Sequence, residues 1–480
     1  MRRGTTLHYP LCLALAFSVA CGGTSMSETD NPDGGGETGD GGGDGGSTSM
    51  TPMFPPWDAK NPAICGQTAY TWQPTTNMGA VLQKSKNLLG ASTFFISTLQ
   101  AVAFLGSQLN VKRSPQYGVH TATVRYQTQD RGQLVDATAM VTWPTSSGKS
   151  FPIVLFLHPT LGYTDECAPS KKAGDFTAPM TILSMIMASA GYVAVYPDYL
   201  NQRSMGTPST ATSPYLLLEP TALASLDAAR AAQKYLSANE SVSATSDVYL
   251  WGHSQGAQAV EYTMTMQPFY APEFTLKAAA AVSPPSDLPE SARANFAGPA
   301  PTYNLGQAIA YTWSDYYDRN QISRSLLPPW DGTALTQLKN YCNSSYSDPI
   351  KNVTDPAQVF TPPFLAAVTM NQKNDPWSCW LHYNNPATMT LPVNTSVPIL
   401  YVTGDKDTTV IPAANDPVMA SWCQKGAQVQ YLQCAGADHV HTITDSVDDV
   451  FNFFDARKAG MPLPATKCQP QPAAKCASAL

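Results

Sequence analysis

Asp247-Val248-Tyr249-Leu250-Trp251-Gly252-His253-Ser254-Gln255-Gly256-Ala257-Gln258-Ala259-Val260 is the stretch on which the reading of this chain turns. After Asp247 comes a short apolar run of the kind a strand covered on both faces shows, and the last four residues are small and helix-compatible. Between them, Gly252-His253-Ser254-Gln255-Gly256 satisfies GxSxG in the context that gives the pattern meaning: strand, sharp turn, helix. The glycines allow a strained turn and close packing, so the Ser254 hydroxyl stands up and out at the sheet edge. The backbone N–H of Gln255, at a helix N-terminus, then faces negative charge that develops on an oxygen beside Ser254. A bare GxSxG can also be a turn with an ordinary buried serine, and the flanking strand and helix argue against that.

The same alternation extends in both directions. Residues 119–127 and 135–143 alternate apolar and polar around Asp130-Arg131-Gly132 and predict an antiparallel hairpin. Strands are expected at 151–157, 192–196, 278–282, 399–402 and 429–432, with helices at 180–190, 216–236 and 446–457 and a packing helix within 88–109. Strands alternating with helices imply a mostly parallel sheet with right-handed crossovers. Between the strands at 278 and 399 the chain is far longer than one crossover needs. Residues 291–390 carry Trp313, Tyr316, Tyr317, Trp330, Trp377 and Trp380 in a partly helical pattern, and predict an inserted, mainly helical cap. Such side chains suit an acyl channel or the cap's own core. The fold class that results is α/β, with an α/β-hydrolase sheet.

A serine hydroxyl is a poor nucleophile until a histidine takes its proton, and an acid must fix that histidine's tautomer. The chain has seven histidines. In this fold acid and histidine follow the nucleophile in that order, which removes His8, His120, His158, His253 and His382 and leaves His439 and His441. Ile399-Leu400-Tyr401-Val402 runs into Thr403-Gly404-Asp405-Lys406-Asp407, so Asp405 and Asp407 both stand at a strand's C-terminal end. Asp407, three residues past Gly404, has the position of the acid; Asp405 reads as a loop cap. His439, in Gly436-Ala437-Asp438-His439, has the usual loop position before the final helix. His441 reads as a lining residue and Asp438 as a loop hydrogen bonder. The second oxyanion donor is expected from His158-Pro159-Thr160-Leu161-Gly162; Pro159 has no N–H, so Thr160 joins Gln255 as donor, with His158 shaping the loop.

Several ordered segments resemble the secretory lipases, a family of α/β-hydrolases. They are His158-Pro159-Thr160-Leu161-Gly162, Cys167-Ala168-Pro169-Ser170, Pro197-Asp198-Tyr199, Pro214-Tyr215-Leu216, Leu226-Asp227-Ala228-Ala229-Arg230-Ala231-Ala232 and the closing 453–460. Pro159 stands where the family's loop carries glycine, and Asn201-Gln202-Arg203 where it carries a glycine-rich turn. The resemblance spans roughly residues 65 to 460. It implies hydrolysis of a carboxylic ester or lipid by Ser254, His439 and Asp407, with no metal or organic cofactor. An exported serine peptidase of the same fold and a catalytically silent binding protein are the rival readings.

Composition sets the surroundings. A formal net charge of -7 gives no broad basic surface, and no nucleic-acid partner is expected. Arg2, Arg3 and the apolar run 11–20 have the size of a signal peptide, too short for an ordinary span. Ser18-Val19-Ala20-Cys21 resembles a bacterial lipobox, so Cys21 is a candidate lipid anchor; ordinary signal cleavage is the alternative. Residues 22–58, rich in Gly, Asp, Ser and Thr, read as a disordered tether ahead of a domain at 59–480. The chain is thus expected to be exported, at the cell surface or outer membrane if lipidated. Of ten cysteines, Cys12 and Cys21 belong to the leader and its lipobox, and the other eight allow four disulfides. Cys423 with Cys434 and Cys468 with Cys476 close the shortest loops, though sequence alone does not fix the connectivity; an internal Cys342–Cys379 pair would brace the cap, whereas pairing either with Cys167 would tie it to the sheet. No CxxC pair supports a structural zinc site.

Overall fold

The computed structural model describes residues 57–85, 89–105, 109–298, 301–370 and 376–479, so the leader, Cys21 and the tether up to residue 56 lie outside the described residues. Ten strands make one sheet: β1 (Val81–Lys84), β2 (Leu89–Ala91), β3 (Val119–Asp130), β4 (Gln133–Pro144), β5 (Ser150–Leu157), β6 (Val193–Pro197), β7 (Ser243–His253), β8 (Thr275–Val282), β9 (Pro398–Gly404) and β10 (Gln428–Cys434). Their order is β1-β3-β4-β6-β5-β7-β8-β9-β10, with β2 also on β3. β5 to β10 are parallel, and β1 to β4 add an antiparallel flank. The hairpin turn expected at Asp130-Arg131-Gly132 joins β3 to β4.

Helices α1 (Thr93–Leu105), α2 (Pro179–Ser189), α3 (Leu218–Asn239) and α4 (Gln255–Tyr270) follow along the chain. Then come α5 (Leu288–Phe296), α6 (Tyr303–Tyr317), α7 (Ile322–Ser325), α8 (Trp330–Asn340), α9 (Pro362–Met370) and α10 (Trp377–Tyr383), all between β8 and β9. The body closes with α11 (Pro412–Gln424), α12 (His439–Asp445) and α13 (Val447–Lys458). Period-two alternation sorts the strands onto two cores. Ile153, Leu155 and Leu157 of β5 pack with α3 and α4, whereas Val154 and Phe156 pack with α2 and α13 on the other face. Both faces are covered, which is why these strands read as unbroken apolar runs.

The insertion has a core of its own. Trp313, Trp377 and Trp380 are buried there with Phe360 and Phe364, joined from the body by Tyr163, Tyr215 and Leu217. Of the two uses open to the cap's aromatics, these three indoles serve packing; Tyr316, Tyr317 and Trp330 lie partly buried against the same core.

The disulfides are Cys65–Cys379, Cys167–Cys342, Cys423–Cys468 and Cys434–Cys476. Neither of the short-loop pairings that loop closure favours is made, nor the internal Cys342–Cys379 pair; the alternative, a cap cysteine joined to Cys167, is made at Cys342. The physical reason lies in the crossover. Cys423 sits at the end of α11, beside the start of β10, while Cys434 ends β10. Seven residues of strand separate the two levels by roughly 20 Å, beyond the ~7 Å of Cα separation that a disulfide bridges. The C-terminal tail runs back along β10 instead, with Cys468 N–H bonded to the Val429 carbonyl (2.7 Å) and Ala474 N–H to that of Gln433 (2.9 Å). It thus meets Cys423 at one level and Cys434 at the other, and covers the edge strand.

Candidate active site

β7 ends at His253 and α4 begins at Gln255, leaving Ser254 alone in the turn at φ 55° and ψ −122°. Such a backbone costs a residue with a Cβ about 1–3 kcal/mol. Bonds on both sides hold it: Ser254 N–H donates to the Val282 carbonyl at the end of β8 (2.9 Å), and the Ser254 carbonyl accepts from Ala257 N–H (2.9 Å). A Cβ on Gly256 would overlap the Leu157 carbonyl, and one on Gly252 would overlap the Gly256 carbonyl. The glycines therefore let the first turn of α4 lie directly on the end of β5, where the loop 158–162 starts.

Two further strand ends deliver the partners. The Ser254 hydroxyl lies 2.9 Å from Nε2 of His439, and Nδ1 of His439 lies 2.8 Å from Oδ2 of Asp407. With Nδ1–H donating to the carboxylate, Nε2 is left as the acceptor for the serine proton. The Asp407 carboxylate is fully buried, which acts to raise its pKa; the hydrogen bond and charge of His439 and the N–H of Val410 outweigh burial and hold it below the usual range. Its Oδ1 accepts from Thr409 and Val410 N–H at 2.9 and 2.8 Å. The neighbours take other tasks. Asp405 accepts from Gly436 N–H (2.7 Å), Asp438 caps α12 through Val440 and His441 N–H, and His441 pairs with Asp438 in the open.

The loop after β5 is where the second donor is expected. Among the described residues neither Thr160 nor Leu161 makes a backbone–backbone hydrogen bond, so both N–H groups are free for a ligand. Gln255, first residue of α4, has no intrahelical acceptor for its N–H. His158 donates from Nδ1 to the Pro159 carbonyl (2.7 Å) and stacks on Tyr199 at 4.0 Å; burial pushes its pKa down to about 4, so it is a neutral anchor. Among the described residues, no group of three or more His, Cys, Asp or Glu side chains could hold a metal ion.

With this geometry in place, a family profile for secretory lipases matches residues 173–465. The chain belongs to the secretory lipase family. Secretory lipases are carboxylic ester hydrolases, and this chain is a serine hydrolase of that class. Solved structures share the fold. The rice cell wall degrading esterase LipA from Xanthomonas oryzae superposes with a TM-score of 0.61 at 22% identity, over 80% of this chain and 97% of that one. Lipase A of Candida antarctica in its closed state gives 0.63 at 18% identity, over 86% and 88%. No curated protein sequence matches.

The secretory lipase segments converge on the loop beside the elbow. Asp198 of Pro197-Asp198-Tyr199 is buried and accepts from Ser170 N–H (2.8 Å), and from the hydroxyls of Ser170 and Thr138, so it holds Cys167-Ala168-Pro169-Ser170 against β6. Gln202, in the stretch that departs from the family's glycine-rich turn, donates to the Gly162 carbonyl. His253 is a residue that sequence reasoning passed over. It cannot be the base by chain order, yet its Nε2–H donates to the His439 carbonyl (2.9 Å), and burial with the adjacent His439 depresses its pKa to about 3. It braces the histidine loop in neutral form. Asn295 of α5 likewise reaches the acid loop, donating to the carbonyl of Thr408 at 3.3 Å.

Proposed function

We propose that the chain is an exported esterase or lipase in which Ser254 attacks the ester carbonyl, His439 moves the protons and Asp407 orients His439. The continuous 2.9 and 2.8 Å bonds from Ser254 through His439 to Asp407 carry this reading. As Oγ bonds to the carbonyl carbon, its proton passes to Nε2, and the carbonyl oxygen takes up negative charge beside the N–H groups of Gln255 and Thr160. The proton then goes to the leaving alcohol. Water, deprotonated by His439 in turn, releases the acid from the acyl-enzyme. The helical insertion flanks the site through Asn295 and sets which acyl chains reach it. Four disulfides support an oxidising, extracytoplasmic location, with Cys21 as the membrane tether.

Fluorophosphonate labelling, combined with turnover of esters of increasing acyl length and of aminoacyl amides, tests the reading. Wild type should label and cleave esters, and Ser254→Ala should do neither while remaining folded. Labelling that persists in S254A would move the nucleophile elsewhere; preference for amides would make the enzyme a peptidase.

A further inference from the structure

The middle of the stretch proposed to supply the second oxyanion donor has little backbone structure of its own to hold it. Residues 158–162 form no helix or strand, and Thr160 and Leu161 have no backbone–backbone bond among the described residues. Free N–H groups suit an oxyanion hole only if they are held still, because donors that must reorganise during reaction lose most of their effect. The ends of the loop are tied, by the Tyr199 hydroxyl to the His158 carbonyl, His158 Nδ1 to the Pro159 carbonyl and Gln202 to the Gly162 carbonyl; at Thr160 itself the hydrogen bond runs from its hydroxyl to the phenol oxygen of Tyr215, at 3.1 Å.

Tyr215 is itself held from the insertion. It is buried at 4% exposure, and its carbonyl accepts the indole N–H of Trp313 in α6 at 2.6 Å. Its ring meets Tyr163 edge-on, and Tyr163 meets Tyr341 edge-on, each pair near 5 Å. The next residue, Leu216, is forced to φ 56°, a left-handed backbone that persists only where the surroundings over-determine it. A second route ends on the same loop: Cys342, beside Tyr341, is joined to Cys167, whose sulfur packs directly on Gly162.

We infer that Tyr215 is a positioning residue for the oxyanion hole, its phenol transmitting the packing of the helical insertion to Thr160. The inference rests on the proposed role of Thr160 beside Ser254. It makes the insertion part of the catalytic apparatus: whatever its influence on access, it also sets how well the tetrahedral oxyanion is held. Tyr215 touches neither substrate nor nucleophile in this scheme, so its effect falls on the transition state and leaves ground-state binding alone.

The test uses the full chain with a water-soluble ester. Tyr215→Phe removes only the hydroxyl, and Thr160→Val removes the other partner while keeping the backbone N–H and the side-chain shape. Each should lower kcat roughly tenfold or more, with KM unchanged, the scale expected for a misplaced catalytic group. The Y215F/T160V double variant should be no worse than either single, because one bond is lost in all three, and Thr160→Ser, which keeps the hydroxyl, should recover most of the kcat lost in T160V. A boronic acid, which forms a tetrahedral adduct on serine, should weaken in parallel with kcat. Wild-type kcat in Y215F and T160V, losses that multiply in the double variant, or a loss carried by KM overturns the inference. Ester turnover by S254A would instead overturn the reading on which it rests. Should Y215F not fold, T160V and T160S decide alone.

Discussion

As the proposed nucleophile, Ser254 is weak until a neighbour can take its proton, and among the described residues that neighbour stands on one side only. His439 reaches Ser254 with Nε2 while Asp407 holds Nδ1, whereas His441 points into a pair with Asp438 on the surface. His439→Ala is therefore expected to lower kcat about 10⁴-fold or more, with His441→Ala near wild type. Asp407→Asn should cost about 10⁴-fold through the wrong tautomer, and Asp405→Asn should show up in stability more than in turnover. Steady-state kinetics of the four variants check this, and a reversed ranking within either pair would reassign the role. These residues were legible because chain order and loop position leave few choices among seven histidines. His253 was not, because its bond to the His439 carbonyl crosses 186 positions and nothing at His253 itself announces it.

The strand–turn–helix unit shows why an element can be read from sequence when its residues are under steric demand. Gly256 is the second residue of a helix, where alanine would be favoured by about 1 kcal/mol on propensity alone; here the Leu157 carbonyl occupies the place of a Cβ. Gly256→Ala is thus expected to destabilise by more than about 2 kcal/mol and to depress kcat by shifting Ser254, whereas Gly332→Ala, where nothing lies within 4 Å of the added carbon, should do neither. Urea unfolding and ester turnover on both variants measure it; a G256A enzyme with unchanged midpoint and rate would show the close approach to be dispensable. Buried strands were legible for the same kind of reason, as their two covered faces demand unbroken apolar runs. The short β1 and β2 were not, since four and three residues pairing with β3 leave too little pattern to read, and β2 took the first residues of the stretch expected to be helical.

At the scale of the whole molecule, the mostly parallel sheet and the helical insertion followed from the alternation of elements, but the long-range ties did not. Loop-closure arguments rank disulfides by sequence distance, and the fold overrides them by bringing the tail alongside β10 and two body segments to the insertion, at separations of 314 and 175 residues. The same packing traps ionisable groups, with effects of both signs on stability. His158 and His253 are held neutral, with pKa values near 4 and 3; unfolded histidines take up protons below about pH 6.5, so the stability tied to these two is lost as pH falls from there. Glu261 in α4 works in the opposite direction. It is fully buried, and burial lifts its pKa to about 8 against the hydrogen bond from Ser286, at 2.6 Å, that favours the ionised form. The folded state keeps a proton that the unfolded chain releases above about pH 4.3, so the stability tied to Glu261 is full below that value and lost as pH rises through 8. Glu261→Gln keeps the acceptor for Ser286 and removes the titration. Its Tm relative to wild type should therefore rise between pH 5 and pH 8.5, by several degrees if the buried acid is as isolated as its surroundings indicate. Parallel Tm curves for the two proteins across that range would mean that Glu261 ionises as readily in the fold as outside it.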